Sequence, residues 1–481
     1  ITVVGDDDQS IYGWRGARVE NILSYQKDFK NTRVVRLEQN YRSTANILNA
    51  ANAVIENNAD RMGKQLWTEG HDGEPIQLYT AYNEQDEARF VVGRIEDCVD
   101  KGGVRSEIAI LYRSNAQSRV FEERLMQCGM PYRVYGGLRF FERAEIKDAL
   151  AYLRLTRNRD DDASFERVVN QPPRGIGGRT VEAIRQRARD DRCSLWQAAI
   201  SMVNEKLLAA RACNAVMVFL QLIDELSTGL DKLTLGEQVE HVMQPSGLVD
   251  HFAREKGEKG QTRLENLQEL VNAAQEYEAD PDSDMEPLSE FLAHASLEAG
   301  EGQADAWEDC VQLMTLHSAK GLEFPLVFLC GMEEGLFPHQ RSVAEPGKLE
   351  EERRLCYVGI TRARQQLVLS CAERRRLFGS ETYCMPSRFI DEIPKALIEE
   401  IRPRPGISMP RESRPVMATG RHATSAGGLR LGQHVRHQKF GDGVVTNCEG
   451  QGSHARVQVN FSTAGSKWLV LAYANLENVG A

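Results

Sequence analysis

Between Val311 and Arg364 the chain repeats one pattern, a short apolar run that breaks into a polar, glycine-containing turn. Val311-Gln312-Leu313-Met314-Thr315-Leu316 gives way to His317-Ser318-Ala319-Lys320-Gly321-Leu322-Glu323-Phe324, and Leu326-Val327-Phe328-Leu329-Cys330 follows. Runs this short, apolar throughout, read as strands buried on both faces, as in a parallel sheet. A helix comes next. Glu350 to Glu352 fill its first turn, where the helix dipole favours carboxylates. Leu355, Val358 and Gly359 share one face and Arg362 follows a turn later. Leu367-Val368-Leu369-Ser370 then reads as another strand. Open α/β sheets bind ligands at the carboxyl ends of their strands, so these turns, with a lysine, a glutamate and two arginines, are expected to face a polyanion there. An arginine held by a packed helix suits a bidentate grip on phosphate. Taken alone, Arg362 is equally a surface arginine in a salt bridge.

A chain of 481 residues is too long for one core and implies three or four domains. At 41% hydrophobic and 27% charged it has an ordinary globular composition. No apolar run approaches bilayer-spanning length, so no membrane partner is expected. The chain opens ITVVGDDDQS, with no secretory signal and no Met, in what reads as the middle of a strand; a fragment or a processed chain is expected. A net charge of −11 argues against a surface coated in basic residues, so nucleic-acid binding would need local clusters. The ten cysteines form no C-x-x-C pair, and Cys330 and Cys371 lie in or beside apolar runs. That is reduced, core-packing cysteine of a cytosolic protein, with no zinc site and no disulfide framework.

In chain order, Ile1 to Val4 reads as a strand ending at Gly5-Asp6-Asp7-Asp8-Gln9-Ser10-Ile11-Tyr12-Gly13-Trp14-Arg15-Gly16. Three carboxylates suggest a metal site, but no second cluster lies nearby in sequence, and no metal ligand is assigned. Tyr12 and Trp14 beside Arg15 fit a platform for stacking single-stranded bases; an isolated Trp is more often core. Val34 to Leu37 reads as the next strand, running into Glu38-Gln39-Asn40-Tyr41-Arg42-Ser43-Thr44 and a helix from about Ala45 to Glu56. Ser43 or Thr44 can cap that helix. Arg42 then lies at its mouth, where anions bind, or in a loop salt bridge. Ile76 to Tyr79 and Ile108 to Tyr112 are strands separated by a helix over 84–99, and the second ends in Arg113-Ser114-Asn115.

From about Gly136 to Asp305 helices dominate, as at 144–155, 194–203 and 207–226, so an all-helical insertion splits the α/β domain in sequence. It holds Pro172-Pro173-Arg174-Gly175-Ile176-Gly177-Gly178-Arg179-Thr180, opening a helix near Val181; such a G-x-G is a simple turn or a backbone approach to phosphate. The acidic stretch 280–286 reads as a solvated loop. Residues 372–383 read as a hairpin turning at Gly379. Residues 402–428, rich in Pro, Arg, Ser and Gly, read as a flexible linker. Residues 429–481 alternate apolar and polar, with turns at Gly441-Asp442, Gly450 to Gly452 and Ala464-Gly465, as in a small SH3- or Tudor-like β-barrel.

LHSAKGLEF and YVGITRAR resemble motifs five and six of the UvrD/Rep/PcrA group of superfamily-one DNA helicases, and GDDDQSIYGWRG and QNYRS resemble motifs three and four, all in the family's order. The resemblance implies an α/β fold: a RecA-like, P-loop NTPase-type parallel sheet domain with an all-helical insertion and a small C-terminal β-barrel. It implies the end of a first RecA-like domain at 1–38, a second at 39–135 and 306–401, the insertion at 136–305, the linker at 402–428 and the barrel at 429–481. Gln9 would sense the terminal phosphate of ATP, and Arg42 and Arg362 would stabilise the charge on the transferring phosphoryl group. Glu323, beside Gly321, would hold the ribose. Tyr12, Trp14, Arg15, Arg113 and His317 would face single-stranded DNA. Gly175, Gly177 and Thr180 would grip duplex backbone without reading its bases. Phe378, at the tip of a strand-splitting hairpin, would stack on the last base pair; an inward-packed Phe378 is the alternative.

By the same resemblance, hydrolysis of ATP with Mg²⁺ would drive 3′→5′ movement and unwinding in mismatch and nucleotide-excision repair. The expected partners are single-stranded DNA, ss/ds junctions, repair proteins and, through the barrel, RNA polymerase; the expected location is the bacterial cytosol, with the nucleoid. No G-x-x-x-x-G-K-[ST] occurs in the chain. Triphosphate and metal ligands are therefore expected mainly upstream, and this polypeptide alone is expected to hydrolyse no ATP. The competing reading is a catalytically silent DNA- and RNA-polymerase-binding fragment. A helicase–nuclease fusion would need a further carboxylate-and-lysine metal site, which the tail does not offer.

Overall fold

The computed structural model describes residues 2–300, 304, 307–345, 347–377, 380–401, 434–438, 440–449, 456–461, 465–470, 474 and 476–478. The chain falls into two compact units, Ile1–Pro405 and Gly406–Ala481.

In the first unit the chain forms, in order, β1 (Ile76–Ala81), β2 (Ile108–Tyr112), β3 (Tyr132–Val134), β4 (Val311–Thr315), β5 (Phe324–Leu329), β6 (Ala363–Ala372), the hairpin strands β7 (Arg374–Leu377) and β8 (Ser380–Tyr383), and β9 (Ile398–Glu400). Seven of these make one sheet in the order β3-β4-β2-β5-β6-β1-β9. Every pairing in it is parallel. All of β2 is buried, because side chains alternate between two covered faces. Ala109 and Leu111 enter a core shared with the Ala45–Glu56 and Lys348–Ile360 helices. Ile108, Ile110 and Tyr112 enter another, shared with the Glu84–Asp100 and Ser118–Gln127 helices.

Between β3 and β4 the described chain is helical, from Ala144–Arg157 to Pro287–Gly300, around its own core. The rings of Phe165, Trp196 and Phe219 meet edge to face in that core, as apolar rings prefer.

Two expected strands do not form. Residues 2–4 and 34–37 have no ladder, and Val4, Val35 and Leu37 are exposed by 86, 67 and 81%. An apolar run becomes a strand only when a neighbour accepts its N–H groups and donates to its carbonyls. Neither run has such a neighbour among the described residues; the segment after the second makes one bridge, Gln39 to Trp67.

In the second unit β10 (His434–His437), β11 (Gly441–Glu449), β12 (Arg456–Phe461), β13 (Gly465–Val470) and β14 (Leu476–Asn478) form an antiparallel sheet in the order β13-β12-β11-β10-β14. Val435, Val445, Val457, Val459 and Phe461 make its core. Gly441 and Asp442 are not the turn but pair with His437 and Arg436, so the chain reverses just before them. The turn expected at 450–452 and the linker at 402–428 lie outside the described residues.

Candidate functional site

The polar residues of the sheet divide between its two edges. Glu323 and Arg362 immediately precede β5 and β6, so they lie at the amino edge, not at the carboxyl edge expected for them. Arg113 and His317 follow β2 and β4 at the carboxyl edge. The connection 316–323 runs from one edge to the other, because parallel strands must be joined across the length of the sheet.

At the amino edge, Arg362 lies two residues past the end of the Lys348–Ile360 helix and is 2% exposed. That excludes the surface salt bridge. Its Nε donates to the Val358 carbonyl at 2.9 Å, Nη1 to the Leu322 carbonyl at 2.9 Å and Nη2 to Thr361 Oγ1 at 3.2 Å. All three acceptors are neutral. Burial, with the charge of Arg42 added, pushes its pKa down to about 10. Arg42 reaches the same place from its own loop. Asn40 Oδ1 accepts the N–H groups of Arg42 and Ser43 (2.8 and 2.9 Å), and Ser43 Oγ donates to the Ala363 carbonyl at 2.6 Å, which stitches the loop to the start of β6. Arg42 Nε donates to Glu323 and Nη1 to the Thr361 carbonyl at 3.4 Å. Two guanidinium groups and one carboxylate thus converge, as a polyanion site requires.

The helix mouth is not part of that site. The N–H groups of Ala45 and Asn46 donate to the His71 and Asp72 carbonyls. Neither expected cap forms: Thr44 stands at the N-cap position with no side-chain cap bond, and its hydroxyl is buried without a hydrogen-bond partner. Arg42 therefore presents its side chain beside Arg362, away from the helix mouth.

The 6–15 loop lies along the edge-to-edge connection. Lys320 Nζ donates to the Gln9 carbonyl at 2.8 Å and sits 5.2 Å from the Tyr12 ring centre. Tyr12 Oη donates to the His317 carbonyl at 3.2 Å. The lysine expected to face a polyanion is thus bonded to a backbone carbonyl. Gly321, at φ +93°, makes the turn into Leu322 and Glu323 in a conformation that favours glycine. Gly359 lets the helix approach: a Cβ there would lie 2.5 Å from Leu316 Cδ2.

Asp6, Asp7 and Asp8 form a cluster among the described residues close enough to share an ion. They are already engaged. Arg61 grips Asp8 at 3.0 and 2.7 Å, the Met62 N–H donates to Asp7 at 2.7 Å, Gln9 Nε2 donates to Asp6 at 2.7 Å, and Lys64 bonds Asp6. A cluster whose carboxylates already accept from two cations and two further donors does not fit a divalent cation.

At the carboxyl edge, Arg113 is held by Glu352 at 2.8–3.1 Å and approached by Glu258 at 3.5 Å. Burial opposes its charge, but these carboxylates hold its pKa above the ordinary value. The strand-end salt bridge is thus its arrangement here. His317 is pushed down to about 3 by burial and by the charges of Arg113 and Arg15. Arg15, Arg113, Ser114, His317 and Lys259 line one cavity of about 780 Å³ between this edge and the helical region.

Gly177 caps the Gly178–Asp191 helix, Gly175 turns at φ +82°, and the Thr180 N–H donates to the Gly177 carbonyl at 2.9 Å. Nothing lies within 4 Å of a Cβ at Gly175 or Gly177, so there is open space beside this backbone. Arg174 turns inward instead, donating to the Val168, Pro172 and Ser246 carbonyls. The expected hairpin forms as β7 and β8. Phe378, between them, lies outside the described residues, and of Trp14 only the backbone, in the Gly13–Arg15 turn, is described.

Three family models match the chain. The UvrD-like helicase C-terminal domain matches residues 35–374, the UvrD/REP helicase N-terminal domain residues 1–30, and the PcrA/UvrD tudor domain residues 431–477. The chain is 60% identical over 480 residues to DNA helicase II of Escherichia coli K12, covering 100% of this chain and 66% of that protein. It is 53% identical to DNA helicase II of Haemophilus influenzae with the same coverage. It is 44% identical over 495 residues to the ATP-dependent DNA helicase PcrA of Bacillus subtilis, covering 99% of this chain and 67% of that protein. The chain thus spans about two thirds of the length of these relatives.

Proposed function

The chain belongs to the UvrD-like helicase family, and on that premise we propose that it supplies one wall of an ATP site and part of the DNA track of a 3′→5′ DNA helicase. The observation that carries this reading is Arg362, a buried guanidinium whose described partners are all neutral, set beside Arg42. A triphosphate would supply the negative charge that no bonded partner gives Arg362. As charge spreads over the transferring phosphoryl group, Arg42 and Arg362 would stabilise it, Gln9 would sense the terminal phosphate, and Glu323, beside Gly321, would hold the ribose. Mg²⁺ would accompany the triphosphate. The Asp6–Asp8 cluster does not fit it, so no metal ligand is assigned to this chain.

On the other side of the connection, Tyr12, Trp14, Arg15, Arg113 and His317 would meet single-stranded DNA. Because Lys320 ties the Gln9 carbonyl to the Tyr12 ring, a change at the phosphate would reach the DNA through one short loop. Residues 39–135 with 306–401 would act as the second RecA-like domain. Within the helical region of 136–305, Gly175, Gly177 and Thr180 would grip duplex backbone. The β7–β8 hairpin would split base pairs with Phe378, and the C-terminal sheet would dock partners such as RNA polymerase. Mismatch and nucleotide-excision repair in the bacterial cytosol are the setting this implies.

The test is ATP turnover, with and without single-stranded DNA, by the 481-residue chain and by a chain extended upstream to include a phosphate cradle. Activity is expected only in the extended chain, and Arg42→Ala or Arg362→Ala should abolish its DNA-stimulated part. Unchanged turnover in both variants would sink the assignment. The absence of a G-x-x-x-x-G-K-[ST] from these residues favours a second reading for the chain by itself: a DNA- and polymerase-binding module without hydrolysis.

A further inference from the structure

β7 carries three successive arginines, Arg374-Arg375-Arg376, and strand alternation turns the middle one inward. Arg375 is buried, and so are its two partners, Glu87 and Glu333. Its Nε donates to Glu333 at 2.7 Å, and its Nη2 donates to Glu333 at 2.7 Å and to Glu87 at 2.5 Å. The carboxylates hold other elements in turn. Glu87 Oε1, on the Glu84–Asp100 helix, accepts from the Gly331 N–H (2.9 Å) and Ser370 Oγ (2.7 Å), and Glu333 Oε1 accepts from the Ala372 N–H at 2.6 Å. The backbone of the hairpin's base is tied down alongside: the Arg374 N–H donates to the Tyr82 carbonyl and the Arg376 N–H to Glu84, both at 3.0 Å.

One guanidinium between two buried carboxylates is a poor way to gain stability, because desolvating three charges consumes most of what their attraction returns. It is an effective way to fix an angle, since a bidentate fork admits one geometry and a second carboxylate locks its rotation. Here the fork stands at the base of the hairpin and grips a helix, the turn after β5 and the end of β6 at once.

We propose that Arg375 is a positioning residue for strand separation: with Glu87 and Glu333 it fixes the β7–β8 hairpin to the sheet, so that movement of the sheet reaches the hairpin tip as a rigid push on the DNA junction. This rests on the reading of the hairpin as the strand-splitting element. A loosened clamp leaves hydrolysis and single-strand movement intact and wastes steps at the junction.

The experiment uses the chain extended upstream to its relatives' length, a tailed duplex and a matching single strand. Glu87→Gln is the first variant: its amide oxygen keeps the Gly331 and Ser370 bonds while its amide nitrogen turns a donor toward Arg375. Arg375→Lys, which keeps the charge and loses the fork, is the second, read if the first does not fold by thermal melting. Single-strand-stimulated hydrolysis should stay within about twofold of the parent, while base pairs opened per ATP fall about tenfold to a hundredfold, the scale of a misplacement near 1 Å. An equal fall in both, or no change in either, overturns the proposal. Phe378→Ala separates the two layers. If it lowers base pairs per ATP and the clamp variants do not, the positioning inference alone fails; if it leaves that ratio unchanged, the hairpin reading fails and takes the inference with it.

Discussion

Replacing Arg362 with Met removes a charge but keeps an unbranched side chain in a nearly closed site. Burial and Arg42 push the pKa of Arg362 down from the ordinary arginine range to about 10, which at about 1.4 kcal/mol per pH unit makes its charge cost the fold roughly 3–4 kcal/mol. The sign follows from the direction. Below pH 10 both folded and unfolded chains hold the proton, so the penalty is in full force at neutral pH and is relieved only as pH rises above 10. Against it stand three hydrogen bonds to neutral oxygens, worth about 1 kcal/mol each. The two sides cancel, so Arg362→Met should change unfolding free energy at pH 7.5 by no more than about 1 kcal/mol, measured by urea denaturation of the 481-residue chain. Turnover should behave differently. An arginine that stabilises a transferring phosphoryl group is worth about 10³–10⁵ in rate, or about 4–7 kcal/mol. In the upstream-extended chain, DNA-stimulated ATP hydrolysis by Arg362→Met should fall by at least about a thousandfold. A large loss of stability with turnover near the parent's would show that Arg362 is a structural residue and refute the argument.

Glu298 is pushed up to about 8 by burial and by the charges of Glu123 and Glu122, with Arg119 and Arg139 opposing. Its folded pKa exceeds its unfolded one, so its contribution is whole below pH 4.5 and is lost as pH climbs to 8; Glu298→Gln should flatten that decline and raise the melting temperature at pH 8.5. His317, held near 3 by burial, Arg113 and Arg15, should stay neutral when the chain binds nothing, so its ring resonances should show no titration between pH 5.5 and 8. Its folded pKa is lowered, so the stability it lends is full above pH 6.5 and falls away toward pH 3. Glu352→Gln releases the fork on Arg113; single-strand affinity should rise, with the log–log salt slope steeper by about 0.7, and the melting temperature should fall because a buried pair is broken. An unchanged slope would remove Arg113 from the DNA track.

The sheet was legible wherever an apolar run had partners. β2 forms at the expected residues, β4 and β5 hold the runs read from 311 and 326 except for their last residues, Leu316 and Cys330, and β6 contains the run read from 367. β3 and β9, three residues each, are too short to carry a periodic signal. Residues 2–4 and 34–37 carry the signal and form no strand, because a ladder is a property of two segments and a sequence window holds one. The candidate site was legible in residue type but not in place. The lysine, the glutamate and both arginines were visible in the turns. That Glu323 and Arg362 stand at the amino edge and His317 at the carboxyl edge depends on the 316–323 connection crossing the sheet, which only the order β4-β2-β5 reveals. Nor does any local pattern show that Arg113 would meet Glu352, 239 residues away.

The two arginine sites differ in what an arriving anion must displace. Arg362 bonds neutral oxygens, and the carboxylate near it is bonded to Arg42, about one third exposed. A phosphate there adds charge compensation at Arg362, and the one ion pair it must open is Arg42 with Glu323, which is partly exposed and so weakly held. At the carboxyl edge Arg113 is already compensated by Glu352, and that carboxylate also accepts the His339 N–H at 3.1 Å. A phosphate reaching Arg113 must compete with a bonded carboxylate that burial disfavours and Arg113 holds below the ordinary carboxylate range. On the function proposed above, an anion at the amino edge would meet Arg362 with no carboxylate bonded to it, while one at the carboxyl edge would gain Arg113 only if the Glu352 fork opened. Lys320 and Tyr12 span the connection between the two, so on that same proposal charge arriving at the amino edge would be the trigger and the release of Arg113 the step to follow it.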